Sequence, residues 1–158
     1  MSTKTKRALI LPADQPPPLE KTIVNGRRTP TYALAWFCDP ERLYRNLGRA
    51  EIEVTGEPWH LWDVVSNRYW RFEDNCGYGL SPIPHQTDDG NFYLVAMFNG
   101  AEANHLERIK DIANDPLIQG ARIAMGVDGD PELEKTLKWH LWPPRVLHLK
   151  MEDVAAVQ

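Results

Sequence analysis

The residues best suited to covalent or acid–base chemistry are a cysteine and a histidine near the middle of the chain. Cys76 is followed by His85, and Glu73 lies just before them. A thiol beside an imidazole can act as a nucleophile if the fold brings the two within hydrogen-bonding distance. However, the sequence around Cys76 matches no turn that presents a nucleophile, so the sequence favours a protein that is not an enzyme. In an alternative interpretation, Glu73, Cys76 and His85 supply the polar contacts of a ligand pocket.

Alternating acidic residues that begin at Asp128 suggest a calcium loop at first sight. Such a loop needs Gly at its sixth position and Glu at its twelfth, and this chain has Leu133 and Trp139 there. Helix capping by Asp130 explains the pattern better. The histidines show no metal-binding spacing with cysteine or carboxylate residues. We therefore predict neither a metal nor a cofactor.

The tetrapeptide Trp-His-Leu-Trp occurs twice, at residues 59–62 and 139–142. Trp joins a large apolar ring system to one N–H donor, so it either fills a core or grips a partner. The flanking residues differ, which indicates shared chemistry or coincidence rather than a duplicated domain. In a helix, Trp139 and Trp142 would share one face, either packed into the core or exposed as an aromatic clamp. For Trp59 and Trp62, a strand and a helical turn both remain open.

Residues 56–90 match no regular element and are rich in aromatic side chains. A long irregular segment in a compact domain is often functional. Trp, Tyr and Arg are also the residue types that dominate binding hot spots. The candidate binding residues are therefore Trp59, Trp62, Arg68, Tyr69, Trp70, Arg71, Trp139 and Trp142.

The first third of the chain predicts strands followed by a helix. Strands are expected at residues 7–11, 22–24 and 31–37, with Asn25-Gly26 as a hairpin turn. Asp39 and Pro40 open a helix as N-cap and first helical residue, and Gly48 ends it. A further strand is expected at residues 51–54.

The second half repeats that order, with a strand at residues 91–98, a helix at 101–114 and a strand within 117–127. A third helix is expected at 132–141, and a closing strand at 145–150. We predict an α+β fold with a mixed or antiparallel sheet and two β-α-β units of the split, ferredoxin-like kind. The single domain, residues 1–158, would comprise a first unit at 19–55, the aromatic insertion at 56–90, a second unit at 91–127 and a C-terminal helix and strand at 128–158.

Two short motifs carry a family resemblance. The sequence Leu-Ile-Leu-Pro-Ala-Asp at residues 9–14, and Leu-Tyr-Arg-Asn-Leu-Gly at 43–48 before a strand, resemble a group of small uncharacterised phage- and plasmid-encoded proteins. The resemblance covers about the first third of the chain. It implies an origin in a mobile element and brings no known activity, while the aromatic segment and the third helix depart from the family pattern.

Composition narrows the function further. A net charge of −4 disfavours non-specific binding of nucleic acid, which needs clustered Lys and Arg. The chain contains two cysteines, too few for a disulfide framework. It has no secretory leader pattern and no apolar run long enough for a membrane span. We expect a cytoplasmic protein, of a bacterial host if it is phage-derived, without a membrane partner.

These observations favour a non-enzymatic accessory or inhibitor protein that binds another protein through its aromatic segment. The first alternative is a small-molecule-binding protein or enzyme whose aromatic segment covers a pocket. The second is a structural subunit, either of a homo-oligomer or of a larger assembly.

Overall fold

The computed structural model describes residues 8–47, 58–76, 84–100, 114–144 and 148–158. The strands in these ranges are β1 (Ile10–Pro12), β2 (Ile23–Val24), β3 (Arg27–Arg28), β4 (Tyr32–Cys38), β5 (Pro84–Gln86), β6 (Phe92–Phe98) and β7 (Lys138–Leu141). The helices there are α1 (Pro40–Leu47), α2 (Pro58–Cys76), α3 (Pro116–Ala124), α4 (Pro131–Glu134) and α5 (Met151–Ala155). The protein is thus an α+β protein, as predicted.

Five of the described strands form one sheet in the order β1-β7-β4-β6-β5, and each neighbouring pair is antiparallel. Strands β4 and β5 consequently run in the same direction on either side of β6. In the same way, β6 and β7 run in the same direction on either side of β4. The segments that connect these parallel strands contain α1 and α2 in the first case, and α3 and α4 in the second.

Strand β4 is buried along its whole length. On one face of the sheet, Leu34 and Trp36 join a large core cluster to which all of α1 to α4 contribute. On the other face, Ala33, Ala35 and Phe37 pack with Tyr93, Val95 and Val154 of α5. Because both faces are covered, β4 is a continuous apolar run rather than an alternating one.

Helix α1 begins and ends close to its predicted bounds. The Asp39 carboxylate accepts a hydrogen bond from the Arg42 backbone N–H at 2.8 Å, which caps the first turn. Leu43 and Leu47 lie four positions apart and are both buried. Gly48 and the strand predicted at 51–54 lie outside the described residues.

The prediction that residues 56–90 are irregular is wrong for most of the described residues in that range, because 19 of them form α2. Leu61, Val65 and Tyr69 recur at four-residue spacing and all face the core. The abundance of aromatic and β-branched residues, which are weak helix formers, obscured this pattern. Residues 84–86 form the edge strand β5.

The prediction of a strand within residues 117–127 is also wrong, because residues 116–124 form α3. The Asp115 side chain caps the helix start at the Ile118 N–H, 3.4 Å away, and Pro116 takes the first helical position. At the other end Gly126 has φ +72°, and the Val127 N–H donates to the Arg122 carbonyl at 2.9 Å. This is the Schellman arrangement that ends many helices at glycine.

The third predicted helix starts correctly and then stops early. The Asp130 side chain caps it as expected, but α4 ends at Glu134 and residues 138–141 form β7. Strand β7 pairs with β1 on one side and β4 on the other, so tertiary pairing overrides the local helical signal. The turn between them is fixed by Thr136, whose hydroxyl accepts the Phe37 backbone N–H at 2.9 Å and donates to the Leu133 carbonyl at 2.6 Å.

The remaining predictions have mixed outcomes. The hairpin with the Asn25-Gly26 turn is confirmed by β2 and β3, and the strand predicted at 91–98 is confirmed by β6. The strand expected at 7–11 is β1, a half-buried edge strand rather than a buried one. The helix expected at 101–114 lies almost wholly outside the described residues. So does the first half of the closing strand predicted at 145–150, while residues 148–150 are not a strand.

Asp130 joins α1 to α4. Its carboxylate accepts hydrogen bonds from Arg42 Nη1 and Asn46 Nδ2, both at 2.8 Å, and from the Leu133 N–H at 3.2 Å. Burial by itself would raise the pKa of Asp130, but the hydrogen bonds from Asn46 and Arg42 outweigh it and hold the pKa below its ordinary value.

We therefore expect Asp130→Ala to lower the free energy of unfolding by about 2–3 kcal/mol, since three hydrogen bonds to a charged group are lost together. Urea denaturation measures this. Asp128→Ala serves as the control, because that carboxylate is 58% exposed and its one ion pair among the described residues is with Arg122. This substitution should cost less than about 1 kcal/mol. Equal midpoints for the two variants would contradict the role assigned to Asp130.

Candidate functional site

Helix α2 presents one face to solvent, and a large apolar residue, Trp70, lies on that face. The Trp70 side chain is 66% exposed. Asp63 and Asn67 precede it by seven and three positions on the same face and are also exposed. An exposed indole surrounded by polar side chains is the arrangement expected of a binding anchor with a hydrophilic rim.

Two other aromatic residues of α2 hold the helix against the core. The Trp62 ring is half-buried and stacks on Phe92 of β6, with centroids 6.4 Å apart and planes 21° apart. Tyr69 is buried, and its burial raises the pKa of the phenol well above its ordinary value. Its hydroxyl has no hydrogen-bond partner among the described residues, so Tyr69 contributes through its ring. These two residues hold the helix that carries Trp70.

The two arginines of α2, Arg68 and Arg71, differ in how far they are buried. Arg68 is half-buried and donates a hydrogen bond from Nη1 to the Ala124 carbonyl at 2.9 Å. That carbonyl is at the C-terminal end of α3, where a cation is favoured by the helix dipole. Arg71 is exposed beside Trp70 in sequence. Arg68 therefore ties α2 to α3, whereas Arg71 is exposed to solvent.

The second Trp-His-Leu-Trp copy lies in and just after β7, not in a helix, so the expectation that Trp139 and Trp142 share a helical face is wrong. Alternation along the strand sends Trp139 into the main core, where it is fully buried and its indole N–H donates to the Ala13 carbonyl at 3.3 Å. His140 points to the opposite face, and Trp142 also packs there. Neither tryptophan forms an exposed clamp.

An aromatic cluster on that second face was not predicted. The Trp142 ring contacts His85, Phe98 and Tyr93, with centroid distances of 5.1, 5.6 and 5.8 Å. Tyr93 in turn meets His140 at 4.9 Å, with planes 79° apart. The alternating pattern of residues 138–142 could have predicted this cluster. The cap at Asp130 instead led to the prediction of a helix that continued through residue 141.

His140 is the most perturbed ionisable group in this cluster. It is 2% exposed, and burial lowers its pKa to about 4 although its ring donates a hydrogen bond to the Ala35 backbone. Its Nε2 atom has no partner within the described residues. The ring is therefore neutral at physiological pH, and a charge there would be strongly disfavoured.

Of the three residues in the pocket that the sequence offered as an alternative, the structure describes only the side chain of His85. His85 is half-buried on the edge strand β5, and burial lowers its pKa. The side chains of Glu73, Cys76 and Trp59 lie outside the described part of the molecule. The thiol of Cys38 is buried, and this burial raises its pKa far above the ordinary value, so Cys38 is unreactive.

A cavity of about 330 Å³ does exist, but it lies at the end of β4 away from the predicted residues. Phe37, Leu149 and Met151 supply its apolar wall. Charged side chains of both signs surround it: Asp39, Arg42, Glu132, Lys150 and Glu152.

Within the described residues, no cluster of histidine, cysteine and carboxylate side chains could hold a metal ion. None of the helices described is long and apolar enough to cross a membrane. Comparison with protein-family models, curated proteins and solved structures finds no match to this chain.

The division of roles on α2 can be measured by truncating two adjacent aromatic residues. Tyr69→Ala should lower the free energy of unfolding by about 3–5 kcal/mol, because it leaves a cavity in the core. Trp70→Ala should change it by about 0.5 kcal/mol or less, because the ring is mostly in water. Chemical denaturation with a fluorescence or circular-dichroism signal tests both. A large loss for Trp70→Ala would make its ring part of the core and remove the candidate surface.

His140 should make the protein sensitive to acid. Its pKa is about 4 when folded and about 6.5 when unfolded, so the unfolded state binds the proton more readily between these values. The stabilising contribution of the neutral His140 ring is therefore fully present above about pH 6.5. The free energy of unfolding falls by about 3 kcal/mol as the pH drops to about 4. His140→Gln, which does not titrate, should lack this part of the pH dependence in denaturant titrations. Parallel pH profiles for the two proteins would contradict the buried neutral histidine.

Proposed function

We propose that this protein is a non-enzymatic accessory or inhibitor that binds another protein through the exposed face of α2. Trp70 is the proposed anchor, and Arg71 supplies a charged contact next to it. The observation that carries the proposal is the 66% exposure of Trp70 on a helix whose opposite face is firmly packed. Buried tryptophans are the rule in a core, whereas a solvated one on a rigid element is ready to be covered by a partner.

The rigidity of α2 supports this interpretation. Trp62 packs on β6, Tyr69 packs in the core, and Arg68 is bonded to the end of α3. Trp70 is thus presented by a pre-organised surface, which reduces the ordering cost of binding. A recognition residue held in this way contributes affinity without a change in fold.

Two further proposals concern fold and origin. The strand order β7-β4-β6-β5, with parallel pairs β4/β5 and β6/β7 around an intervening strand, supports a ferredoxin-like arrangement to which β1 adds an edge.

The motifs at residues 9–14 and 43–48 support a phage or plasmid origin. On this proposal the protein acts in the cytoplasm of a bacterial host.

The cavity at the end of β4 supports a second candidate function, the binding of a small molecule. Its volume of about 330 Å³ is at the lower end for ligand sites. The mixture of apolar residues with Arg42, Lys150 and Glu152 in the lining suits a small ligand that carries both charged and apolar groups. This candidate depends on residues other than those of α2, so the two functions can be tested separately.

Partner binding tests the main proposal. Wild type, Trp70→Ala and Ile123→Ala would be immobilised in parallel and exposed to a lysate of the source organism, with bound proteins measured by quantitative mass spectrometry. Ile123 is the matched control, because it is another exposed apolar residue, at 63%, on the neighbouring helix α3. A specific partner should be retained by wild type and Ile123→Ala and lost from Trp70→Ala.

With the purified partner, we expect Trp70→Ala to weaken binding by about 2 kcal/mol or more, and Arg71→Ala by a smaller amount. Titration calorimetry measures both. Equal capture by all three proteins would place the interface elsewhere and refute the assignment of Trp70.

A further inference from the structure

The hairpin formed by β2 and β3 projects from the molecule and has no side chain in the core. All eight residues from Lys21 to Arg28 are exposed. Ile23 is 71% exposed and Val24 is 46% exposed, so two aliphatic side chains are left in water on a short ribbon. Burial in the core therefore does not account for the apolar side chains at these two positions.

The conformation of the hairpin is nevertheless well defined. Asn25 and Gly26 have φ angles of 52° and 77°, which is the two-residue turn that matches the twist of antiparallel strands. At its base, the Thr29 N–H and hydroxyl both donate to the Thr22 carbonyl, at 2.9 and 3.0 Å. The ribbon is therefore a rigid projection and not a loose loop.

A buried asparagine fixes the base of the hairpin to the main sheet. Asn99 lies just after β6, and its Nδ2 donates to the carbonyls of Pro18 and Pro30, both at 3.0 Å. These two prolines lie on either side of the hairpin in the chain. The Asn99 side-chain oxygen also accepts the Tyr32 N–H at 2.8 Å, which connects the same point to β4.

The hairpin has the opposite charge to the rest of the protein. Residues 21–28 contain Lys21, Arg27 and Arg28 and no acidic residue, in a chain whose net charge is −4. Within the described residues, neither of these arginines forms an ion pair with a carboxylate. Their positive charge is directed to solvent.

The register places one aliphatic and one cationic side chain on each face of the ribbon. Ile23 is opposite Arg28, and Val24 is opposite Arg27. Directly opposed residues of an antiparallel pair project from the same face. Each face therefore offers an apolar contact directly beside a guanidinium group.

We propose that the β2–β3 hairpin is a second docking site, which binds an acidic, partly apolar segment of a partner protein. A carboxylate would bind Arg27 or Arg28, and an adjacent apolar side chain would cover Val24 or Ile23. A nucleic acid backbone would use the arginines but leave the aliphatic groups in water. A membrane would have to receive the polar Asn25-Gly26 tip before it reached Ile23, so a protein segment fits better. The site lies on a different element from α2 and goes beyond the function proposed above.

The test uses a short dye-labelled peptide in which leucines alternate with pairs of glutamates, and fluorescence anisotropy at low ionic strength. The variants in the full-length protein are R27Q/R28Q, which removes the charge, and I23S/V24S, which removes the apolar surface. The control R45Q/K135Q removes two exposed positive charges from other elements. A peptide with lysine in place of glutamate, duplex DNA and phosphatidylserine vesicles complete the set of probes.

We expect wild type, R45Q/K135Q and Trp70→Ala to bind the acidic peptide equally, and both hairpin variants to bind about tenfold more weakly or worse. Unfolding midpoints of the hairpin variants should match wild type, since the mutated side chains are exposed. The proposal is overturned if wild type does not bind the acidic peptide or if the charge control loses as much affinity. It is also overturned if DNA or vesicles bind through the hairpin more tightly than the peptide does. Because Trp70→Ala leaves this binding intact, failure here is distinct from failure of the α2 proposal.

Discussion

The burial of strand β4 on both faces is the constraint on which the rest of the structure depends. Its seven residues are all buried, so each face of the sheet must be covered and each backbone group must find a partner. Helices α1 to α4 contribute to the cover on one face, and Trp142, Leu149 and Val154 to that on the other. Just before β7 begins, the Thr136 hydroxyl accepts the hydrogen bond from the Phe37 N–H. Without that hydroxyl, a buried donor would lose its partner at a cost of about 1–3 kcal/mol.

This requirement also explains which surfaces remain for function. Two buried polar side chains near β4 fix connecting segments: Asn99 holds the stems of the hairpin, and the Tyr32 hydroxyl donates to the Ala8 carbonyl at 2.7 Å. Once these segments are fixed, the outer face of α2 and the β2–β3 ribbon project outwards from a rigid base. Both carry large apolar side chains that the core does not use. Their exposure is therefore a property of the folded scaffold rather than a failure to pack.

The two Trp-His-Leu-Trp copies show how context decides the structure of one short sequence. The first copy starts a helix, because Pro58 can occupy the first turn and Leu61, Val65 and Tyr69 continue an apolar stripe at helical spacing. The second copy pairs with strands on both sides and is followed by Pro143 and Pro144, which cannot extend a helix. The tetrapeptide itself is identical in both places, so the residues around it decide between helix and strand. Local propensity is worth only tenths of a kcal/mol per residue, and strand pairing outweighs it.

The sequence by itself determined the α+β class, strands β4 and β6, the Asn25-Gly26 hairpin and the caps at Asp39 and Asp130, because each depends on neighbours within a few positions. It also contained Trp70 among the candidates for recognition. Only the tertiary structure separated Trp70 from Tyr69, since exposure depends on which face of α2 packs against the sheet. The identity of β7 and the aromatic cluster around His140 were decided in the same way. Residues distant in sequence supply their hydrogen bonds and contacts, and a sequence read from its local patterns carries no information about which distant strand will pair.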